Sequence, residues 1–548
     1  MAPLLQIQNL SISFTSNPGT IPAINNISFN IEPGEITVIV GESGSGKSIS
    51  SLSIMQLLPK SATATGKIIF TKQNVTPVNL LQLSSKEINK IRGKDIAMIF
   101  QEPMTSLNPV LTCGSQVAEV IQLHKKISKK KAREQTIALF EKVKLPEPEK
   151  FFSRYPHELS GGQKQRVMIA MAISCNPSLL IADEPTTALD VTVQKTIIEL
   201  IKELQQQTRM AVIFITHDLG LAAEIGDKVL VMYKGEIVEH GNAKDVLQNP
   251  QHNYTKTLIN CRPGNRQIGA GSRVQPEAIL KLENLKVYFP QKKKWFAKPA
   301  EYFKAVDDVS FTVSKGETIG LVGESGCGKT TLGRTILQLI QPTSGNIILD
   351  GINLATLSKR QLRPLRKNLQ IVFQDPYGSL NPRHTIGSAI LEPMKVNGIL
   401  TSKSRRKDKV IGLLERVKLN ASHYNQYPHQ FSGGQRQRIC IARALALNPS
   451  FLIFDESVSA LDVSVQAEVL NLLNDLKKEF GFTAIFISHD LAVVHYISDR
   501  ILVMNKGEII EEGMADEVYF SPKNEYTKKL IDAIPGKQLT NFRNPQSF

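Results

Sequence analysis

The chain has 548 residues, of which 41% are apolar and 21% are charged, a composition that excludes intrinsic disorder and fibrous repeats as its main character. No apolar run approaches the roughly 20 residues of a membrane-spanning helix, the opening residues lack the pattern of a signal peptide, and five scattered cysteines without a Cys-x-x-Cys spacing exclude a disulfide framework or a zinc ribbon. We therefore expect a cytoplasmic protein, and its net charge of +16 favours an anionic partner such as a nucleotide, a nucleic acid or an acidic membrane surface.

Most of the sequence occurs twice. The matched blocks, in chain order, are LQIQNLSISF (5–14) with LKLENLKVYF (280–289), GESGSGKS (41–48) with GESGCGKT (323–330), IFQEPMTSLNP (99–109) with VFQDPYGSLNP (372–382), LSGGQKQR (159–166) with FSGGQRQR (431–438), and ADEPTTALDV with FDESVSALDV. Before its glycine-rich block the second copy carries a short insertion near QKKKWFAK, and after that block it is shorter than the first copy. Length changes of this kind usually fall in surface loops.

The repeat predicts two tandem domains. We place the first at 1–261 and the second at 279–535. Between them, residues 262–278 are rich in Gly, Pro, Arg and Gln and lack hydrophobic periodicity, which is typical of a linker. A polar tail follows at 536–548.

Secondary-structure patterns also occur in both copies. Short apolar runs rich in Val and Ile predict buried parallel strands, EITVIVG, SLLIAD and AVIFIT in the first copy and ETIGLVG, SFLIFD and TAIFIS in the second. Apolar residues spaced i, i+3, i+4, i+7 at 197–204 and 469–476 predict amphipathic helices. The alternation of such strands and helices indicates an α/β domain in each copy.

Each copy carries the pattern G-x-x-x-x-G-K-[ST] directly after a predicted strand. The glycines allow consecutive backbone N–H groups to curl around a phosphate, and the helix that follows contributes the positive end of its dipole. The lysine then reaches the β- and γ-phosphates, and the hydroxyl binds Mg²⁺. The predicted nucleotide ligands in these loops are Gly41, Ser43, Gly44, Gly46, Lys47 and Ser48, and Gly323, Ser325, Gly326, Gly328, Lys329, Thr330 and Thr331.

Two acid pairs, Asp183-Glu184 and Asp455-Glu456, each end a predicted apolar strand. An aspartate at the carboxyl end of a strand is well placed to hold Mg²⁺, and the adjacent glutamate can polarise the water that attacks a phosphate. Alone, an acid pair after a strand also fits a helix cap, but the glycine-rich loops favour the catalytic interpretation here.

Two further motifs occur at matched positions. His217 and His489 each follow the next predicted strand, which makes them candidates for contact with the γ-phosphate, although a single histidine near a core is more often structural. The segments 160–163 and 432–435 both have the sequence SGGQ, which fits a second phosphate-binding turn, the N-cap of a helix, or both.

In both copies the glycine-rich loop, a loop containing Phe-Gln, the SGGQ segment, the acid pair, the segment ALD and the histidine are all present. The chain therefore resembles the ATP-binding cassette family over nearly its whole length. The forms FQEPMTSLNP and FQDPYGSLNPR and the paired segments NPQHNYTKTLIN and SPKNEYTKKLID are similar to the ATP-binding subunits of bacterial oligopeptide, dipeptide and nickel importers. Two cassettes in one chain are similar to the fused ATPase subunits of peptide, microcin C and glutathione importers.

The resemblance implies an α/β fold with two tandem ATP-binding cassette domains, each a mainly parallel P-loop sheet with an antiparallel β part and a helical subdomain. It also implies two ATP sites, each completed by the SGGQ segment of the other, head-to-tail cassette, with Asp190 and Asp462 coupling them. The implied catalytic residues are Glu184, His217, Glu456 and His489, and the implied magnesium ligands are Ser48, Gln101, Asp183, Thr330, Gln374 and Asp455. The further implied ATP contacts are Phe14, Ser160, Gly161, Gly162, Gln163, Phe289, Ser432, Gly433, Gly434 and Gln435. For the two phenylalanines, which the family stacks on adenine, plain core packing remains the alternative.

The same resemblance implies an ATP-hydrolysing motor subunit of a bacterial membrane importer for peptides or related small solutes. Two membrane-spanning permease subunits and a separate solute-binding protein would be its partners, and it would lie on the cytoplasmic face of the inner membrane as a peripheral protein. Nucleic acid is not an expected partner. Some relatives carry a cysteine cluster after the histidine region, but only Cys261 lies near that position here, so we expect no iron–sulfur cluster.

Two other classes of double-cassette protein share these motifs. Soluble ATPases that act on ribosomes or nucleic acid usually carry a long charged helical linker, whereas residues 262–278 are short and low in charge. Cassette ATPases of DNA repair typically insert coiled coils or zinc modules, and neither pattern occurs in this sequence. The basic runs at 124–133 and 402–407 fit solvated helix faces or contacts with anionic lipid.

Overall fold

The computed structural model describes residues 2–16, 19–72, 76–101, 106–187, 189–260, 277–290, 302–459 and 461–536. Cys261, most of the predicted linker, the insertion near 291–301 and the tail beyond residue 536 lie outside these ranges. The described residues divide into two compact units, the first with residues 2–260 and also Pro535 and Gly536, and the second with residues 277–534.

The two units contain matching series of helices and strands. The first unit contains β1 (Leu5–Ser16), β2 (Gly19–Ile31), β3 (Ile36–Val40), α1 (Lys47–Ile54), β4 (Ala62–Phe70), β5 (Val78–Asn79), α2 (Ser85–Ile91), β6 (Ile96–Ile99), α3 (Cys113–Lys125), α4 (Lys129–Lys142), α5 (Pro148–Phe152), α6 (Gly161–Ile173), β7 (Leu179–Asp183), α7 (Val191–Thr208), β8 (Ala211–Thr216), α8 (Leu219–Ile225), β9 (Lys228–Tyr233), β10 (Glu236–Asn242), α9 (Ala243–Gln248) and α10 (Asn253–Asn260). The second unit contains β11 (Ala278–Pro290), β12 (Tyr302–Ser314), β13 (Thr318–Val322), α11 (Lys329–Ile336), β14 (Ser344–Leu349), β15 (Ile352–Asn353), α12 (Lys359–Leu362), β16 (Leu369–Val372), α13 (Pro376–Ser379), α14 (Ile386–Val396), α15 (Lys403–Arg416), α16 (Gly433–Leu445), β17 (Phe451–Asp455), α17 (Val463–Phe480), β18 (Thr483–Ser488), α18 (Leu491–Ile497), β19 (Arg500–Asn505), β20 (Glu508–Met514), α19 (Ala515–Phe520) and α20 (Glu525–Asp532).

A six-stranded sheet forms the centre of each unit, in the order β10-β9-β3-β8-β7-β6 and β20-β19-β13-β18-β17-β16. All neighbouring strands in these sheets are parallel except the pairs β9–β10 and β19–β20. The six apolar runs form β3, β7, β8, β13, β17 and β18, so the prediction of parallel strands is confirmed. Because β3, β8 and β7 are parallel neighbours, the loops after their carboxyl ends lie along one edge of the sheet.

The central sheet is covered on both faces, which explains why its strands are apolar without alternation. Val38 and Val40 pack into a core that includes the helices, whereas Ile39, between them, packs into a second core. That second core joins the sheet to an antiparallel sheet of order β2-β1-β4-β5. The second unit repeats this arrangement with β12-β11-β14-β15.

Most helices pack on the face of each central sheet that lies opposite the antiparallel sheet, whereas α1 and α11 pack into the core shared with the antiparallel sheet, through Ile54 and Leu332. The predicted amphipathic helices form α7 and α17, and the four spaced apolar residues of each are buried. In the first unit α3, α4, α5 and α6 form a helical part whose core is continuous with that of the central sheet, through Val117, Phe140 and Phe151. Within the described part of the chain, we find no helix that is both long and apolar enough to cross a membrane.

Candidate nucleotide sites

The glycine-rich loop of the first unit connects β3 to α1 and has positive φ at three glycines. A Cβ at Gly41 would lie 2.2 Å from the Met232 carbonyl oxygen, and one at Gly46 would lie 2.4 Å from Ile24 Cδ1. At Gly44, by contrast, a Cβ would meet no atom within 4 Å. Two glycines are therefore required by close backbone packing, while the middle of the loop is open to a ligand.

The lysine of each loop is buried and holds the loop's own backbone. Lys47 Nζ donates to the carbonyl oxygens of Gly41 (2.7 Å) and Glu42 (2.8 Å). Lys329 Nζ makes the same two bonds in the second unit, at 2.7 and 2.8 Å. The ammonium group of each lysine is therefore held by backbone carbonyl oxygens of its own loop. A bound phosphate can take the place of these carbonyl groups as its partner.

The hydroxyl of each loop contacts the aspartate at the end of a neighbouring strand. Ser48 Oγ donates to Asp183 Oδ1 at 3.0 Å, and Thr330 Oγ1 donates to Asp455 Oδ1 at 2.9 Å. Burial raises the pKa of Asp183 to about 6, although the bond from Ser48 opposes the shift, and burial also raises the pKa of Asp455. A buried carboxylate beside a hydroxyl is a pair of hard oxygen ligands, and this donor set fits Mg²⁺.

In each unit, polar side chains from separate sequence motifs lie beside the glutamate of the acid pair. Gln101 Nε2 donates to Glu184 Oε2 at 2.9 Å, and His217 Nδ1 lies 3.5 Å from Glu184 Oε1. In the second unit Gln374 Nε2 donates to Glu456 Oε2 at 3.0 Å, with His489 Nδ1 at 3.8 Å. Both glutamates have positive φ, 45° and 48°, so the chain turns sharply at the end of the strand.

The histidine beside each glutamate helps to lower the pKa of that glutamate. Burial acts to raise the pKa of Glu184, but His217, the hydrogen bond from Thr187 and the charge of Lys47 together outweigh it and lower the pKa to about 2. His489, whose Nδ1 lies 3.8 Å from the Glu456 carboxylate, likewise lowers the pKa of Glu456. Each glutamate is therefore a carboxylate at neutral pH and can accept a proton from water.

The SGGQ segments begin helices, as one of the two interpretations predicted. The Ser160 side chain accepts from the Gln163 backbone N–H at 3.4 Å, and the Gln163 side chain accepts from the Ser160 N–H at 3.0 Å, which closes a capping box at the start of α6. Ser432 and Gln435 form the same box at α16. The structure thus confirms the helix-cap interpretation of the SGGQ segments.

The phenylalanines implied to stack on adenine lie on the antiparallel sheets. Phe14 of β1 pairs with Ile21 and is half-buried, and Phe289 of β11 pairs with Phe303 and is 40% exposed. Neither ring is fully buried, which leaves both accessible to a ligand.

Sequence reasoning missed some side chains that contact these sites. Thr187 Oγ1 donates to Glu184 Oε2 at 2.9 Å. Tyr254 and Tyr526 accept hydrogen bonds from the glycine-rich loops. The signal for the tyrosines was present, because they occupy the same position in the paired segments NPQHNYTKTLIN and SPKNEYTKKLID.

Comparison with known families agrees with this geometry. Residues 24–187 and 306–459 match the family described as ABC transporter, and these ranges contain both glycine-rich loops, both SGGQ segments and both acid pairs. The chain belongs to the ABC transporter family. Residues 238–283 match the C-terminal region of oligopeptide/dipeptide transporters.

The similar proteins include several of comparable length. The chain is 46% identical over 561 residues to the glutathione import ATP-binding protein GsiA of Escherichia coli K12, with 97% of this chain and 89% of that protein covered. Identity to the protein of the same name from Salmonella typhimurium LT2 is 46% over 558 residues, with the same coverage. A dimeric structure of the ATP-binding cassette MJ0796 bound to ADP and Pi is 29% identical, covering 43% of this chain and 98% of that chain with a TM-score of 0.39. Nothing in these relatives supports the ribosome-acting alternative.

Proposed function

We propose that this chain is the ATP-hydrolysing subunit of a membrane importer for peptides or related small solutes. The observation that carries the proposal is that each unit brings lysine, hydroxyl, aspartate, glutamate, glutamine and histidine to one edge of its sheet. The match to the oligopeptide/dipeptide transporter region and the import ATP-binding relatives support the solute class. Glutathione, which those relatives import by name, is one such peptide.

Within each unit, the side chains at the sheet edge would bind the phosphates of ATP and position water. The loop N–H groups and Lys47 bind the phosphates, and Glu184, ionised at neutral pH, orients the attacking water and accepts its proton. His217 lies beside the Glu184 carboxylate and would contact the γ-phosphate. Lys329, Glu456 and His489 have the same roles in the second unit.

We propose Mg²⁺ as the cofactor of both sites. Ser48 and Asp183 would hold it in the first unit and Thr330 and Asp455 in the second, and the ion would neutralise phosphate charge. Gln101 and Gln374 would contribute their amide oxygens, since their amide nitrogens donate to the glutamates.

The partners and location follow from the importer assignment. We propose two membrane-spanning permease subunits and a separate solute-binding protein as partners, with this chain bound peripherally to the cytoplasmic face of the membrane. A pull-down from solubilised membranes tests this proposal, because co-purifying permease subunits are expected. Recovery with ribosomes and without permeases would contradict it.

Hydrolysis is tested directly by replacing both glutamates. Glu184→Gln with Glu456→Gln should lower the rate of ATP hydrolysis by about a hundredfold or more while ATP binding persists, because general-base catalysis is removed and the phosphate ligands are not. Phosphate release and equilibrium binding of ATP measure the two properties. An unchanged hydrolysis rate would contradict the assigned role of both glutamates.

A further inference from the structure

A tyrosine of the last helix in each unit contacts the glycine-rich loop. Tyr254 of α10 accepts, through its hydroxyl, a hydrogen bond of 3.1 Å from the backbone N–H of Glu42. Tyr526 of α20 accepts the equivalent bond from Glu324 at 3.0 Å. The same contact thus occurs in two units whose helices and loops are each far apart in sequence, so it is a built feature of the fold.

The tyrosine and the lysine hold opposite sides of one peptide group. The peptide between Gly41 and Glu42 donates its N–H to Tyr254, and its carbonyl oxygen accepts from Lys47 Nζ at 2.7 Å. In the second unit the peptide before Glu324 is held in the same way by Tyr526 and Lys329. Rotation of this peptide therefore moves a carbonyl group that binds the lysine.

The sheet edge fixes the helix that carries the tyrosine. Glu239 of β10 accepts from the backbone N–H groups of Gln251 (2.7 Å) and His252 (3.2 Å), just before α10. In the second unit Glu511 of β20 accepts from Lys523 (2.7 Å) and Asn524 (3.1 Å), just before α20. The hydroxyl position is thereby set by the strand at the edge of the central sheet.

We propose that Tyr254 and Tyr526 are positioning residues for nucleotide binding. Each hydroxyl orients the peptide that holds the lysine, and so places the lysine and the first turn of the loop for the phosphates. The last helix of each unit thus acts on the nucleotide site without contact with the reacting atoms. This inference rests on the proposed binding of ATP at the glycine-rich loops.

The test compares the loss of the two hydroxyls that bond to the loops with the loss of a hydroxyl on a neighbouring ring. Tyr254→Phe with Tyr526→Phe should raise KM for ATP about three- to tenfold, the value of one neutral hydrogen bond, with kcat within about twofold of the wild type. Tyr233→Phe is the control for the first unit, because the ring of Tyr233 packs against that of Tyr254 at a tilt of 33° with centroids 4.1 Å apart, and it should leave KM unchanged. A KM unchanged in the double variant, or a fall in kcat alone, would overturn the inference.

A second measurement uses the wild-type chain and does not depend on folding of the variants. Without nucleotide, the backbone amides of Glu42 and Glu324 should be protected from hydrogen exchange, and full exposure of both would overturn the inference. A wild-type chain that fails to hydrolyse ATP would instead contradict the proposed function. An active wild type whose KM is insensitive to loss of the tyrosine hydroxyls would contradict the positioning role alone.

Discussion

Adjacent carboxyl groups at the end of β7 have opposite pKa shifts, which fit the different roles that we propose for them. Burial raises the pKa of Asp183 to about 6, whereas the side chains around Glu184 together lower its pKa to about 2. A carboxyl group that resists ionisation in the protein gains from a bound cation, and one that is already ionised at neutral pH can accept a hydrogen bond from water. The environment thus separates two residues that are alike in sequence.

Nucleotide binding at the first unit should weaken as the pH falls through about 6. Below that pH Asp183 is protonated, so Mg²⁺ must displace a proton, while Glu184 remains ionised and contributes no change. Titration with magnesium and a non-hydrolysable ATP analogue between about pH 5 and 8 measures the effect. Asp183→Asn is the control and should remove this part of the pH dependence; an identical profile in both proteins would refute the assignment.

The second loop differs from the first by a thiol in a confined space. Cys327 stands where the first copy has Ser45, is 7% exposed, and has its Sγ 3.8 Å from Lys329 Nζ. Alkylation at this sulfur would place an adduct among the atoms that hold the lysine. We therefore expect N-ethylmaleimide to block hydrolysis at the second site.

Cys327→Ser gives the control for this prediction. It should hydrolyse ATP like the wild type, because serine occupies the equivalent position in the first copy, and it should resist the reagent. The other cysteines remain in this variant, so any loss of activity caused by their labelling would also appear in it. Unchanged ATPase activity after complete labelling of Cys327, verified by mass spectrometry, would disprove the prediction.

At the level of elements, the sequence predicted those structures whose causes are local. The run at β8 is apolar because both faces of the central sheet are covered, and the spaced apolar residues of α7 face one core. Contacts that depend on tertiary packing could not be predicted from such patterns. The bond between Tyr254 and Glu42 joins residues 212 positions apart and exists only because α10 packs at the sheet edge.

In the candidate sites, too, some features could be predicted from the sequence and others could not. The motifs predicted a role for Asp183, Glu184 and His217, and the family resemblance added Gln101. The structure places Gln101 and His217 beside the Glu184 carboxylate, and Asp183 in a hydrogen bond with Ser48. Their opposite pKa shifts were not predictable, because burial and the partner of each carboxylate are properties of the folded chain.

The glycines of the second SGGQ segment should differ sharply in their tolerance of alanine. A Cβ at Gly434 would lie 2.2 Å from Val465 Cγ1 of α17, whereas one at Gly433 would lie 3.9 Å from Leu461. Gly434→Ala should therefore lower the free energy of unfolding by about 1–3 kcal/mol through overpacking of α16 against α17. Thermal and urea unfolding measure this loss.

Two further variants separate packing from other effects of Gly434→Ala. Gly433→Ala should be neutral or slightly stabilising, because alanine is the better helix former and finds space. Adding Val465→Ala to Gly434→Ala should restore part of the stability by removing the clashing methyl groups. Equal unfolding midpoints for the two single glycine variants would contradict the packing argument.

For the whole molecule, the duplication preserves the side chains that we propose to be catalytic and varies the residues around them. Both units have the lysine, acid pair, glutamine and histidine, so we expect two competent sites. Arg334 lies 4.0 Å from Asp455 in the second unit, where the first has Leu52, and Ser457 replaces Pro185. The added positive charge near Asp455 opposes a cation there, which favours unequal magnesium affinities at the two sites.

We propose, from the family resemblance, that hydrolysis at each glycine-rich loop depends on the SGGQ segment of the other copy. In a Glu456→Gln background only the site of Lys47 hydrolyses ATP. Ser432→Arg should then lower the remaining rate by about a hundredfold, because a bulky cation replaces a hydroxyl that the reaction needs in place. Steady-state phosphate release measures the rate.

Reciprocal variants test whether each site depends on the SGGQ segment of the other copy. Ser160→Arg in the Glu456→Gln background should have the smaller effect, and in a Glu184→Gln background the order of the two serine variants should reverse. Both serines cap helices through the same bonds, so the loss of a cap is matched between them and cannot produce the reversal. If each arginine instead impairs only the site in its own copy, the two cassettes hydrolyse ATP independently and the fusion serves another purpose than completing their sites.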